Sequence, residues 1–163
     1  MTLTTHSIIA AAVTKPLARI HPIFILIAAI ASHYLSDAIP HWDYKIVSLD
    51  NPEDKEHRRF RSDRKAIIHD MRNFAIDGFL GAAIVLIAIR PATAQQWMWA
   101  IAAIIGGCLP DFVQGLNIFK VPLLRTTQKF HDLFHTDIRL GAYPLFGIPF
   151  QLVITLAALA FLI

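Results

Sequence analysis

Residues 67–89 read IIHDMRNFAIDGFLGAAIVLIAI. From Phe79 to Ile89 the run has no charged or polar side chain, and it ends at Arg90-Pro91. Apolar and polar residues do not alternate in it as they would in a half-buried strand, so it reads as helix. At ~1.5 Å per residue such a helix extends ~35 Å, enough to cross a hydrocarbon layer ~30 Å thick. Four further apolar blocks follow the same reading: 3–13, 22–39, 94–109 and 145–163. Pro22 suits the first turn of its helix, while Pro40 and Pro110 are expected to stop the second and fourth elements. The expected fold is all-α, a polytopic bundle of four to five membrane helices. Residues 1–163 form a single membrane-embedded domain, with a polar, charged linker at about 41–66.

Composition agrees with that reading. Hydrophobic residues make up 55% of the 163 and charged residues 17%, with a mean hydropathy of +0.50. Soluble domains carry about a quarter charged residues, and a chain this apolar is neither disordered nor collagen-like. The single cysteine, Cys108, cannot form an internal disulfide and reads as packing. No cleavable leader is expected, because Lys15 follows the first apolar stretch rather than preceding it. The pI of 9.2 is in the range of nucleic-acid binders, but the net charge is only +3. No nucleic-acid partner is therefore expected.

Membrane topology explains the basic residues better. Eight of the 15 Lys and Arg lie in 41–72 and four more in 110–139. Both segments fall on one side if each intervening element crosses once. The positive-inside rule makes that side cytoplasmic, in an inner (plasma) membrane. Lys15, Arg19 and Arg90 are left for the other side. Within the linker, Arg58, Arg59 and Arg61 are candidates to contact anionic lipid headgroups.

Eight histidines in so apolar a chain call for a reason. In SHYLSDAIPHWD (32–43), His33 and Asp37 are four apart and share a helix face, and Pro40 then presents His41 and Asp43. His131 and His135 are again four apart, a spacing that lets two imidazoles grip one metal. Asp111 follows the turn Gly107-Cys108-Leu109-Pro110. His69, Asn73 and Asp77 form a stripe at the start of the 67–89 helix, and an intramembrane aspartate such as Asp77 needs a partner. All these groups lie near the cytoplasmic face, and His6 joins them if the first segment dips in from that side. Imidazole and carboxylate donors together suit a divalent first-row ion. His21, His57, Asp70 and Asp132 read as ordinary polar residues.

These residues resemble the membrane-bound metal-dependent hydrolases of the LexA-regulated type, a family of small bacterial and archaeal inner-membrane proteins. Thr5-His6, the turn Gly107–Asp111, His131 with His135, and Ser32-His33 with Asp37 look like that family's motifs. After Asp111 the chain reads Phe112-Val113-Gln114, where the family usually continues Asp-x-Asp-His. His33-Tyr34 through Asp37 to Pro40-His41 is also similar to the metal motif of zinc-dependent phospholipases C.

The resemblance implies metal-dependent hydrolysis. One or two divalent ions, zinc for preference, would be held from among His6, His33, Asp37, Asp77, Asp111, His131 and His135. His41, Asp43 or His69 would act as general base or orient a ligand. A lipid phosphate ester at the cytoplasmic membrane face is the expected substrate. The alternative is a non-enzymatic metal-binding or scaffold role. Haem ligation would want lone histidines facing each other at mid-bilayer, and a di-iron bundle needs Glu-x-x-His pairs, whereas the only glutamates are Glu53 and Glu56.

Overall fold

The computed structural model describes residues 1–50, 59–61, 63–116, 122–136, 138 and 140–163. Among these are six α-helices: α1 (Leu3–Thr14), α2 (Pro22–Asp37), α3 (Arg64–Ile89), α4 (Ala94–Gly115), α5 (Pro122–Phe134) and α6 (Pro144–Leu162). The one strand pair described is two residues long on each side, β1 (Leu49–Asp50) against β2 (Arg59–Phe60), antiparallel, beside an isolated bridge at His41. The fold is helical, as the sequence led one to expect. Three helices, α3, α4 and α6, are long and apolar enough to cross a membrane, against the four to five expected.

Local chemistry sets most of the helix ends. The Asp63 side chain accepts from Lys65 N at 2.9 Å, which starts α3 three residues ahead of the apolar run. Thr93 and Gln96 form a reciprocal capping box on α4. Pro22 and Pro144 stand in the first turns of α2 and α6. Arg90, at φ 48°, takes the left-handed conformation that ends α3, and its N–H bonds Leu86 O. Lys15 Nζ donates to Phe161 O at 2.8 Å, a cation on the C-terminal carbonyls of α6.

Two elements differ from expectation. Pro110 does not stop α4, which runs on to Gly115. A proline removes one N–H and its bond four residues back, and helices packed against neighbours absorb that loss. Asp111 therefore projects from a helix rather than from a turn. Helix α5 forms no apolar block in the sequence, because its apolar residues occupy one face and its mean polarity hides them.

The shortest apolar helix is the centre of the bundle. α1 packs against α2, α3, α4 and α6, and Thr5, His6, Ser7, Ile8, Ala10, Ala11, Ala12 and Thr14 are all buried. Small side chains and two glycines let the backbones close in. A Cβ on Gly107 would lie 2.9 Å from Ala10 Cβ and from His6 O, and one on Gly106 would lie 2.6 Å from Ala29 Cβ. Close helix contact through small residues is the packing favoured in lipid. Replacing Gly107 with alanine is expected to cost about 1–3 kcal/mol by overpacking. A lowered melting temperature in detergent would register it, and an unchanged one would mean that α1 and α4 are further apart than described.

The bundle is apolar outside and encloses polar side chains beside an apolar core. Phe79 and Leu145 are 77% and 87% exposed, while His6, His33 and Asp37 are almost wholly enclosed. An exterior like this has a favourable partner in hydrocarbon and an unfavourable one in water. Most of the buried polar groups gather at one end, where α1 begins and α2 and α4 finish; Thr14, bonded to Trp99 Nε1, lies at the other end of α1.

Candidate metal centre

Four side chains from three helices meet at that end. α2 delivers His33 and Asp37 from one face, α4 delivers Asp111, and α5 delivers His131. His33 Nε2 lies 3.2 Å from His131 Nε2, 3.3 Å from Asp37 Oδ2 and 3.6 Å from Asp111 Oδ1. His131 Nε2 lies 3.2 Å from Asp37 Oδ2 and 3.4 Å from Asp111 Oδ1. A tetrahedral zinc site with bonds of ~2.0–2.1 Å has ligand-to-ligand edges of about 3.3–3.4 Å. Five of the six distances among the four donor atoms are on that scale, and all four atoms lie within 4.8 Å of one another.

The hydrogen bonds behind these donors decide which nitrogen faces inward. His33 Nδ1 donates to Gly107 O at 2.7 Å, and because a carbonyl only accepts, the proton of neutral His33 sits on Nδ1. Its Nε2 therefore offers a lone pair. His41 Nδ1 donates to Ile39 O at 2.7 Å and His135 Nδ1 to Thr136 O at 3.2 Å, with the same consequence. Ser36 gives its one hydroxyl proton to His33 O at 2.8 Å. Ser36 Oγ must then accept from His6 Nδ1, 3.1 Å away, which leaves the lone pair on His6 Nε2.

His6 Nε2 is 3.1 Å from Asp37 Oδ1, yet among the described residues neither His6 Nε2 nor Asp37 Oδ2 has a hydrogen-bond partner, though both are buried. Imidazole lone pairs turned toward carboxylate oxygens repel one another unless a cation lies between them. Backing an imidazole with a carbonyl or hydroxyl, as for His33 and His6, is also how metal-ligating histidines are held, whereas His131 Nδ1 meets the Gln114 side-chain amide at 3.4 Å. The residues present fit a divalent ion.

The surrounding charge points the same way. The Met1 amino group lies 2.8 Å from Asp37 Oδ1 and 3.3 Å from Asp43 Oδ1. Burial opposes its charge, but Asp43, Asp37 and Asp111 outweigh that and raise its pKa to about 10. Burial likewise opposes a charged His131, and the Asp111 and Asp37 carboxylates overcome it, raising its pKa to about 9. The carboxylates draw positive charge to this point. For His135 burial prevails and holds the ring below the usual histidine value.

Other candidate residues adjoin this cluster or stand apart from it. Asp37, His41 and His135 form a second group of three donors, and His41 Nε2 is 3.0 Å from Asp43 Oδ2. Asp77, expected as a ligand, is instead turned to the start of α1. Its carboxylate accepts from Leu3 N at 2.7 Å, Thr4 N at 3.1 Å, Thr4 Oγ1 at 2.6 Å and Tyr44 Oη at 3.4 Å. His69, expected at the centre, is part-exposed and bonded to Asp70 at 3.1 Å. Asp70 also accepts from Val47 N and Ser48 N, tying the 41–48 segment to α3. Arg61, expected on lipid headgroups, pairs with Asp50 at 2.5 Å. His57, Arg58 and the Arg59 side chain lie outside the described residues.

A cavity of about 620 Å³ opens beside the cluster, with Asp111, His131, His41, Asp43 and His135 on its wall. Lys45, Tyr44 and Gln128 line it too, and sequence reasoning singled out none of them. Only the nearness of Lys45 to Asp43 in the chain pointed toward it. Gln151, also missed, knits the end of the bundle. It accepts from Trp42 N at 3.1 Å and donates to Thr2 and Thr5 at 3.0 and 2.9 Å. No family model, no curated protein and no solved structure matches this chain.

Proposed function

We propose that the chain is a membrane-spanning, metal-dependent hydrolase that cleaves a lipid phosphate ester at the cytoplasmic face of the inner membrane. The observation that carries the reading is the set of inward lone pairs on His33 and His6 against the buried Asp37 and the half-buried Asp111. His33, Asp37, Asp111 and His131 would hold the ion, with zinc favoured by the mixed nitrogen and oxygen donors. Bound there, a divalent ion supplies an activated water at neutral pH and polarises a phosphoryl oxygen.

The cavity supports a substrate with a polar head and an apolar body. Leu3, Ile46, Leu49, Phe60, Met71 and Phe74 line it together with the polar groups beside the cluster. Lys45 is placed to pair with a phosphate oxygen, and Asp43 to receive the proton of the attacking water. Hydrolysis then breaks one P–O ester bond, adds water's oxygen to phosphorus and returns a proton to the departing alcohol. The excess of Lys and Arg in the two linkers supports a cytoplasmic position for this end of the bundle.

The test incubates purified protein with phospholipids and isoprenoid phosphates, with and without chelator, and follows release of phosphate or headgroup. Chelator-sensitive release is expected. No release from metal-replete protein would favour the non-enzymatic metal-binding reading. Lys45→Ala is expected to raise KM roughly fivefold with kcat little changed, the effect of ~1 kcal/mol per charge near a membrane surface.

A further inference from the structure

We propose that the centre is built for two ions, with the Asp37 carboxylate bridging them. The inference extends the metal-dependent reading above, and it rests on how the two oxygens of one buried side chain divide their neighbours. Asp37 Oδ2 faces His33 Nε2 and His131 Nε2 at 3.3 and 3.2 Å, the first ion's donors. Asp37 Oδ1 faces away from them, toward His6 Nε2 at 3.1 Å and His41 Nε2 at 3.8 Å. Asp111 repeats the division, with Oδ1 toward His33 and His131 and Oδ2 toward His6 at 3.8 Å.

The second set is complete enough to hold a cation. Asp37, His41 and His135 bring one ligand atom each within 4.8 Å of one another. Asp43 Oδ2 faces the same two imidazoles, at 3.0 Å from His41 Nε2 and 3.9 Å from His135 Nε2. Backbone carbonyls accept from Nδ1 of His41 and His135, so each ring, when neutral, carries its lone pair on Nε2; a protonated His41 instead donates from Nε2 to Asp43 Oδ2. A further observation points to a cation here: among the described residues His6 Nε2 is buried, aimed at Asp37 Oδ1 and without a hydrogen-bond partner. The Met1 ammonium lies between Asp37 Oδ1 and Asp43 Oδ1 at 2.8 and 3.3 Å, so an ion entering this space takes the place of that positive charge. The second ion is therefore assigned to Asp37 Oδ1, His41 and His135. A carboxylate bridge of this kind sets two ions ~3.5–4 Å apart.

Titration of metal-free protein with Mn²⁺, read by calorimetry and electron paramagnetic resonance, decides the matter without substrate. Two equivalents are expected, with an exchange-coupled spectrum once both are bound. His41→Ala/His135→Ala should bind one equivalent and give an uncoupled spectrum, and the milder His135→Gln should weaken only the second binding step at least tenfold. A single equivalent in the unaltered protein, as would follow if the Met1 ammonium keeps the second space, overturns the proposal. So does an uncoupled spectrum at two equivalents. Coupled ions in a protein that hydrolyses nothing would overturn the hydrolase reading and leave the two-ion centre standing.

Discussion

Asp37→Ala is expected to reduce metal affinity and hydrolytic activity by more than 100-fold. Losing a group that merely orients a metal ligand costs 10–100-fold, and Asp37 faces the ring nitrogens of His6, His33, His41 and His131 directly. The change should not unseat α2, because the link from this helix end to the segment after α5 is a backbone bond, Thr136 N to Asp37 O at 2.9 Å. Asp37→Asn separates charge from shape. It fills the same volume but lacks the anion, so it too should bind metal poorly. Metal content by mass spectrometry and activity on the same preparation check both variants, and normal metal content in Asp37→Asn would remove Asp37 from the ligand set.

Asp77→Ala is expected to do the opposite, lowering stability by about 3 kcal/mol while leaving the metal in place. Asp77 holds two backbone N–H groups at the start of α1, together with the Thr4 hydroxyl. Hydrogen bonds to a charged group contribute ~1.5–3 kcal/mol each, and they are not additive. Because α1 is the central helix and carries His6, fraying of its first turn should show as a large drop in melting temperature. Thermal unfolding and metal content, measured together in detergent, separate this role from ligation. A stable Asp77→Ala protein without metal would return Asp77 to the ligand set.

The contrast between these two aspartates shows what was legible in the sequence. Spacing placed His33 with Asp37 because a helix repeats every 3.6 residues, and the same arithmetic paired His131 with His135. It served less well for the second pair. α5 ends at Phe134, so His135 leaves the helix and turns to Asp37 and His41 rather than sharing the first cluster. Asp77 looked like a ligand because an aspartate in an apolar helix needs a partner. Its partner is the backbone of α1, 73 and 74 positions away, which no local pattern encodes. Proline rules misplaced the end of α4 at Pro110, since they weigh one lost hydrogen bond and not the packing around it. Hydropathy found α1 but read it as one more apolar segment. Its alanines and serine, set against Gly81 and Gly107, mark a helix that other helices enclose.

The most direct measurement is anomalous diffraction from crystals of the protein grown with zinc, recorded just above and just below the zinc absorption edge. The expected result is a peak that vanishes below the edge, ~2.0–2.1 Å from His33 Nε2 and His131 Nε2, with Asp37 and Asp111 oxygens completing the tetrahedron. The contradicting result is a map without an anomalous peak there, in which His33 and His131 are protonated and hydrogen-bonded directly to Asp37 and Asp111.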